Sequence, residues 1–164
     1  MDYVLEIERS KNIADIFEIV KKIVRDYTGN DQAGLLVGLT DLGISNRGFI
    51  GAFYSLNANM IVINKRPLNR ILQTNPAIYK YYLFHVLLHE YIHSIGYYDE
   101  NDARQIVIDI SRNYFGDDHI ISEFAQDIKK FLLNLTYPNT EIQPKEIYID
   151  FIRGIDRKNT NYIG

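Results

Sequence analysis

Residues 85–100 have the sequence His-Val-Leu-Leu-His-Glu-Tyr-Ile-His-Ser-Ile-Gly-Tyr-Tyr-Asp-Glu, which is the most informative stretch of the chain. Within it, His89, Glu90 and His93 form an H-E-x-x-H motif. Residues four apart share one face of an α-helix, so the two imidazoles can bind one metal ion. Glu90 follows the first ligand and can reach a water activated by that metal. The motif therefore predicts a catalytic zinc site on a helix.

The composition is that of an ordinary globular protein. The 164 residues are 46% hydrophobic and 24% charged, which favours one domain with a buried core. A net charge of −3 and a pI near 5.8 give no general attraction to nucleic acid or anionic membranes. The N-terminal residues lack the pattern of a secretory signal, and no apolar run reaches membrane-spanning length. We therefore expect a soluble, cytoplasmic protein without a membrane partner.

The third metal ligand has several candidates. The chain has no cysteine, so any metal must be held by His, Asp, Glu or Tyr. Asp99 is the preferred third ligand, because Gly96 can end the helix and let the chain turn back toward the metal. Glu100 is the next residue, and His85 lies one turn before the motif, where a buried core histidine is more common than a ligand. We predict Asp99 beside the two motif histidines, with Glu100 and His85 as alternatives.

Short stretches with alternating or continuous apolar residues predict the strands. The expected strands are residues 2–8, 33–40, 49–56 and 60–63, with 146–152 as a further candidate. Arg66 and Pro67 are expected to end the strand at 60–63, because proline cannot donate a ladder hydrogen bond.

Apolar residues at 3.6-residue spacing predict four helices. They run from Ser10 to Tyr27, from Thr74 to Gly96, from Asp99 to Gly116, and from a cap at Asp117 or Asp118 to about Leu132. The predicted class is α+β, with a mixed sheet of about four strands packed on the N-terminal helix and the motif helix. Two C-terminal helices and a tail complete it. We expect one domain over 1–137 and a C-terminal extension of the same domain over 138–164.

The motif with its following residues resembles a known enzyme group. Residues 89–99 have the pattern H-E-x-x-H-x-x-G-x-x-D, similar to the signature of metzincins, which are zinc metallopeptidases, in the variant with Asp as the third ligand. The resemblance implies a zincin-like fold, in which an antiparallel edge strand above the active-site helix holds the substrate. Residues 60–63 would be that strand. The glycines and hydrophobic residues between Gly38 and Leu68 are also similar to the archaemetzincins.

The chain departs from this pattern in two respects. Its only methionines, Met1 and Met60, precede the motif, whereas metzincins carry a methionine turn after it. It also lacks the cysteine cluster of archaemetzincins. Glu100 equally suits a gluzincin-like arrangement, in which a Glu from the following helix is the third ligand. Zincins in general are therefore the better placement.

The predicted activity is the hydrolysis of peptide bonds in a peptide or protein substrate, with Zn²⁺ as cofactor. Zinc makes its water more acidic, and Glu90 takes the proton as general base before passing it to the leaving amine. Tyr97, Tyr98 and His119 are candidates for stabilising the oxyanion. Such tyrosines more often pack, and such a histidine is more often solvated.

Two other functions fit parts of the same stretch. The pattern H-x-x-x-H-x-x-G-Y-Y-D is similar to the bacterial rRNA-maturation endoribonucleases, whose motif ends in G-Y-D-H, so a metal-dependent RNA hydrolase is the first alternative. The acidic pI argues against an RNA substrate. Glu90 also occupies a position that this family does not reserve for a base. The other alternative is a non-catalytic zincin-fold protein with a structural metal, in which four protein ligands would close the site.

Overall fold

A computed structural model describes residues 1–45, 48–132 and 148–155 of the chain. Within these residues it contains seven α-helices and four strands. The helices are α1 (Tyr3–Arg9), α2 (Ile13–Thr28), α3 (Lys65–Thr74), α4 (Tyr79–Ser94), α5 (Glu100–Phe115), α6 (Ile120–Asp127) and α7 (Lys129–Leu132). The strands are β1 (Leu36–Thr40), β2 (Ala52–Ser55), β3 (Met60–Asn64) and β4 (Asp150–Phe151).

The four strands form one mixed sheet in the order β2-β3-β1-β4. β3 pairs in parallel with β1 and antiparallel with β2, and β4 pairs antiparallel with the other side of β1. All five residues of β3 are buried, because it lies between two strands and under helices. The predictions of an α+β class and of a mixed sheet of about four strands are confirmed.

The motif lies on α4, the central helix of the domain. Eleven of its 16 residues are buried, and it packs against α2, α5, α6 and β2. A helix that is apolar on nearly every side is stable only when it is enclosed. The short 3₁₀ turn Pro76–Ile78 leads directly into α4, which begins later than the predicted start at Thr74. The predicted motif helix is therefore confirmed, although it begins at Tyr79 rather than at Thr74.

The predicted strand at residues 2–8 is wrong, since these residues form α1. The Asp2 side chain caps this helix by accepting a hydrogen bond of 3.0 Å from the backbone N–H of Leu5. Tyr3 and Ile7 share a helical face and contact the core, whereas Leu5 is 42% exposed. Apolar residues at positions 3, 5 and 7 fit alternation, whereas helical spacing fits only Tyr3 and Ile7, and the capping residue decides between the two patterns.

The strand expected to hold the substrate also needs correction. Residues 60–63 belong to β3, a central strand, so they cannot offer a free edge. The edge strand next to α4 is β2 instead. Any substrate that pairs with this sheet beside the motif would therefore pair with residues 52–55.

The helix α3 was not predicted from the sequence. It begins directly after β3, where the Asn64 side chain accepts a hydrogen bond of 3.1 Å from the backbone N–H of Arg66. Pro67 lies in the first turn, where a backbone N–H would have no helical partner. The proline therefore ends the strand as expected, and it also belongs to the start of a helix.

The C-terminal part of the chain follows the predicted order with small changes. His119, rather than Asp117 or Asp118, caps α6, with its Nδ1 accepting from the N–H of Ile121 at 3.1 Å. Of the candidate strand 146–152, Asp150–Phe151 form β4, whereas 146–147 and the domain boundary at 137/138 lie outside the described residues. No helix in the described ranges has the length and apolar character needed to span a membrane.

Candidate metal centre

His89 and His93 project from the C-terminal half of α4, one turn apart. Their ring centroids are 4.9 Å apart, and their side chains are only 18% and 12% exposed. Gly96 has a φ of 118°, a conformation that favours glycine, and it follows the last turn of α4. The chain then reverses, so that α5 begins close to the two histidines.

Glu100, the first residue of α5, contacts both imidazoles. Its Oε1 lies 2.7 Å from Nε2 of His89, and its Oε2 lies 3.1 Å from Nε2 of His93. These ligand atoms all lie within 4.8 Å of one another. Within the described part of the chain, this is the only group of three His, Asp or Glu side chains with such spacing. The group can hold a metal ion.

A hydrogen bond from the following turn orients His93. Its Nδ1 lies 2.7 Å from the carbonyl oxygen of Tyr97. A carbonyl oxygen can only accept, so Nδ1 carries the proton and donates it. The lone pair of Nε2 is thereby directed toward Glu100 and His89. A hydrogen bond of this kind on the far nitrogen is typical of metal-binding histidines.

Asp99 lies elsewhere. It is the N-cap of α5, and its side chain accepts a hydrogen bond of 3.0 Å from the backbone N–H of Asp102. The group formed by His89, His93 and Glu100 does not include it. Asp99 as third ligand stays a prediction, whereas the geometry favours Glu100. The predicted turn at Gly96 is present, but it brings Glu100, the residue after Asp99, to the histidines.

Glu90 lies buried on α4 between the cluster and β2. It is 8% exposed, and the backbone N–H of Tyr54 donates to its carboxyl group. Burial, and secondarily the charge of Glu100, raise the pKa of Glu90 to about 8, while the Tyr54 hydrogen bond acts in the opposite direction. Burial also lowers the pKa of His89, against the raising effect of Glu100, which favours the neutral imidazole that binds metals.

A cavity of about 840 Å³ opens beside the cluster. His89, Glu90 and Glu100 form one end of it. The wall also includes Gly51 and Ala52 near β2, Tyr82, His85 and Val86 on α4, Arg104 and Val107 on α5, and residues 124–129 and Leu132 from α6 and α7. The cavity therefore extends from the cluster along α4 toward its N-terminal half.

His85 is not in the cluster. It is buried, and its ring lies 6.1 Å from that of Phe124 in the wall of the cavity. Burial, and secondarily the charges of His89 and Arg104, lower the pKa of His85 to about 3, so its imidazole is neutral. The interpretation of His85 as a buried core histidine agrees with this placement.

The three candidates for oxyanion stabilisation all lie outside the cavity wall, as far as the described residues define it. Tyr97 contributes its carbonyl to His93 and packs its ring against the core. Tyr98 is 59% exposed, and His119 caps α6 with its ring against Tyr81 and Phe115. None of the three side chains therefore contacts the cluster, and Tyr97 reaches it only through its backbone carbonyl.

Several groups at the site were missed by sequence reasoning. The backbone N–H of Tyr54 and the carbonyl of Tyr97 have no signature in the sequence, because every residue except proline carries both groups. Arg104 could have been found from its spacing in the sequence, since it lies four residues after Glu100 on the same face of α5.

Comparisons of the chain with protein-family models, with curated proteins and with solved structures find no match.

Proposed function

We propose that this chain is a zinc-dependent metallopeptidase of the zincin type, with His89, His93 and Glu100 as metal ligands and Glu90 as general base. The observation that carries the proposal is the convergence of two imidazole nitrogens and one carboxylate on a single point. Nδ1 of His93 already donates to a carbonyl, so a neutral His93 presents a lone pair at Nε2 to the carboxylate oxygen. A cation bound between Nε2 of His93 and the Glu100 carboxylate would remove the electrostatic repulsion between these two hydrogen-bond acceptors.

The donor set fits zinc. Zinc binds imidazole nitrogen and carboxylate oxygen at about 2.0–2.2 Å, so tetrahedral ligand atoms lie roughly 3.4 Å from one another. The two contacts of 2.7 and 3.1 Å are shorter than this separation by about 0.7 and 0.3 Å. Glu100 can open by that amount, because its side chain is 66% exposed. Three protein ligands leave a fourth position open, as catalysis requires.

Glu90 is placed for proton transfer. A bound zinc ion would supply Lewis acidity, which polarises a scissile carbonyl and makes a water more acidic. Glu90 ionises more readily beside a bound cation, and the N–H of Tyr54 holds its carboxylate in place. The carboxylate takes a proton from the attacking water as its oxygen bonds to the carbonyl carbon. It then delivers that proton to the amine nitrogen as the C–N bond breaks.

The edge of β2 can bind an extended peptide. The N–H of Asn64 donates to the carbonyl of Gly51 at 2.9 Å, so these two residues form a hydrogen-bonded antiparallel pair. Hydrogen-bonded and non-hydrogen-bonded pairs alternate along such a ladder. The backbone groups of Ala52 and the carbonyl of Tyr54 therefore point away from β3 and can pair with a substrate, whereas the N–H of Tyr54 is bonded to Glu90. A substrate added as a strand here would lie beside Glu90.

Replacement of Glu90 by Gln tests the proposal. The zinc-loaded variant should keep its metal stoichiometry but lose peptide hydrolysis by at least about 10³-fold, because an amide cannot act as a base. Turnover would be measured on a peptide library by mass spectrometry. Glu123→Gln on α6, outside the cavity wall, is the matched control and should retain activity. Cleavage of structured RNA but not of any peptide by the zinc-loaded wild type would refute a peptidase.

A further inference from the structure

Two polar side chains in the cavity wall have no hydrogen-bond partner. Among the described residues, nothing pairs with the hydroxyl of Tyr82 or with Nδ1 of His85. Both residues are buried, at 1% and 8% exposure. A buried polar group without a partner is destabilising, so such groups are rare in a core unless they have a role.

The two side chains lie on the face of α4 that leads to the metal cluster. Tyr82, His85 and His89 are at positions i, i+3 and i+7, so they form one stripe along the helix. All three residues line the same cavity. The unpaired pair is therefore in the part of the cavity that extends away from the cluster.

The hydroxyl of Tyr82 lies close to the backbone just before β2. A Cβ added to Gly51 would be 2.9 Å from this oxygen, so a larger residue there would displace the hydroxyl. Gly51 lines the cavity as well. The glycine thus leaves room for the tyrosine tip between α4 and the start of the edge strand.

The rest of the wall combines apolar side chains with charged residues, which are exposed except for Glu90. Val86, Val107, Phe124 and Leu132 contribute apolar side chains, whereas the charged residues on α5, α6 and α7 lie at the exposed rim. Burial raises the pKa of the Tyr82 hydroxyl and lowers that of His85, so both groups are neutral near pH 7. A carboxylate in this part of the cavity could accept a hydrogen bond from one of the two groups but has no proton to donate to the other. A neutral polar tip suits it better.

We propose that this cavity is a specificity pocket for a tyrosine side chain of the substrate, next to the scissile bond. The substrate ring packs between Phe124 and Val86. Both unpaired atoms are covered in the free protein, so the two side chains turn toward the substrate ring as it binds. Its hydroxyl then donates to Nδ1 of His85 and accepts from the hydroxyl of Tyr82, which uses both capacities of a phenol. This assignment rests on the proposed peptidase function, since it names the residue that the peptidase selects.

Binding of two small probes tests the pocket without catalysis. N-acetyl-L-tyrosinamide and N-acetyl-L-phenylalaninamide differ by one hydroxyl and would be titrated into the full chain carrying ¹⁵N-labelled histidine, with and without zinc. We expect the tyrosine probe to bind roughly tenfold more tightly and to shift the His85 imidazole resonances, because only it supplies partners to the two groups.

The variant Tyr82→Phe should reduce that preference to about twofold or less, since it removes one partner and retains the ring. Tyr81→Phe is the matched control on the same helix; the hydroxyl of Tyr81 bonds to Glu8 and the residue does not line the cavity. It should keep the full preference. Equal affinities for the two probes in the wild type, or no detectable binding of either, would overturn the proposal. Equal affinities are also the result expected if an internal water already forms hydrogen bonds with the Tyr82 hydroxyl and with Nδ1 of His85.

Matched peptides separate this proposal from the peptidase function. Zinc-loaded wild type should cleave a tyrosine-containing peptide with kcat/KM at least about tenfold above its phenylalanine counterpart, and Tyr82→Phe should remove the difference. Cleavage of both peptides at equal rates would refute the pocket and leave the peptidase. Selective binding of the tyrosine probe without cleavage of any peptide would refute the peptidase and leave a tyrosine-binding cavity.

Discussion

The two helices that build the candidate metal centre present their side chains in different surroundings. α4 is enclosed by other elements, and the side chains of His89 and His93 are only 18% and 12% exposed. α5 contributes Glu100 from its first turn, where the side chain is 66% exposed. Core packing therefore holds the two nitrogens in place, whereas the carboxylate can adjust. We infer that metal affinity depends more on α4 than on α5.

The largest expected effect concerns zinc affinity. His93→Ala should weaken zinc binding by roughly 10²- to 10³-fold, since a structural zinc site gains about 10–16 kcal/mol from four ligands together. Glu100→Ala should weaken it by about ten- to a hundredfold, because water can replace an exposed ligand more easily. Competition with a chromophoric chelator measures both constants. A larger loss of zinc affinity for Glu100→Ala than for His93→Ala would show that metal binding depends more on α5 than on α4.

Asp99→Asn is the matched control for that measurement, since Asn caps a helix about as well as Asp. Its zinc affinity should stay within about threefold of the wild type, because its side chain bonds to the N–H of Asp102 rather than to a metal. A loss as large as that of Glu100→Ala would instead support the prediction that Asp99 is the third ligand.

An intermediate effect concerns Glu90 and the pH dependence of stability. In the metal-free protein, its pKa is raised from 4.5 to about 8, so between these values the folded chain holds a proton that the unfolded chain releases. Stability therefore falls as pH rises through this window. Glu90→Gln should match the wild type near pH 5 and exceed it at pH 9 by on the order of 1–3 kcal/mol.

Urea unfolding at the two pH values, with a chelator present, measures this difference. Glu123→Gln serves again as the control and should show no comparable gain at high pH. A Glu90→Gln variant that is no more stable than the wild type at pH 9 would show that burial does not disfavour the charge of Glu90.

The smallest effect concerns the start of α5. Asp99→Ala should destabilise the metal-free protein by about 1 kcal/mol through loss of the helix cap, whereas Asp99→Asn should change it by a few tenths. Thermal unfolding monitored by circular dichroism compares the two variants. Equal stability of Asp99→Ala and wild type would mean that the cap does not set the position of α5, and hence of Glu100.

Local patterns were sufficient for much of the fold and for part of the site. The helical spacing of His89 and His93 predicted their common face, because this geometry depends only on the helix that contains them. β1, β2 and β3 were expected from short apolar stretches between turn residues. The prediction for the N-terminal segment was wrong for a physical reason, since Tyr3 and Ile7 fit either period and only the Asp2 cap favours the helix.

The sequence by itself determined the common face of His89 and His93, the adjacent position of Glu90 and the turn at Gly96, since each depends on neighbours within one helix or one turn. Only the tertiary structure decided which carboxylate reaches the histidines. Asp99 and Glu100 are adjacent, but the packing of α5 on α4 turns one toward its own helix and the other toward the two histidines. Packing of β2 and α6 around α4 likewise created the cavity at Tyr82 and His85. Such placement depends on contacts between distant segments, which no short pattern encodes.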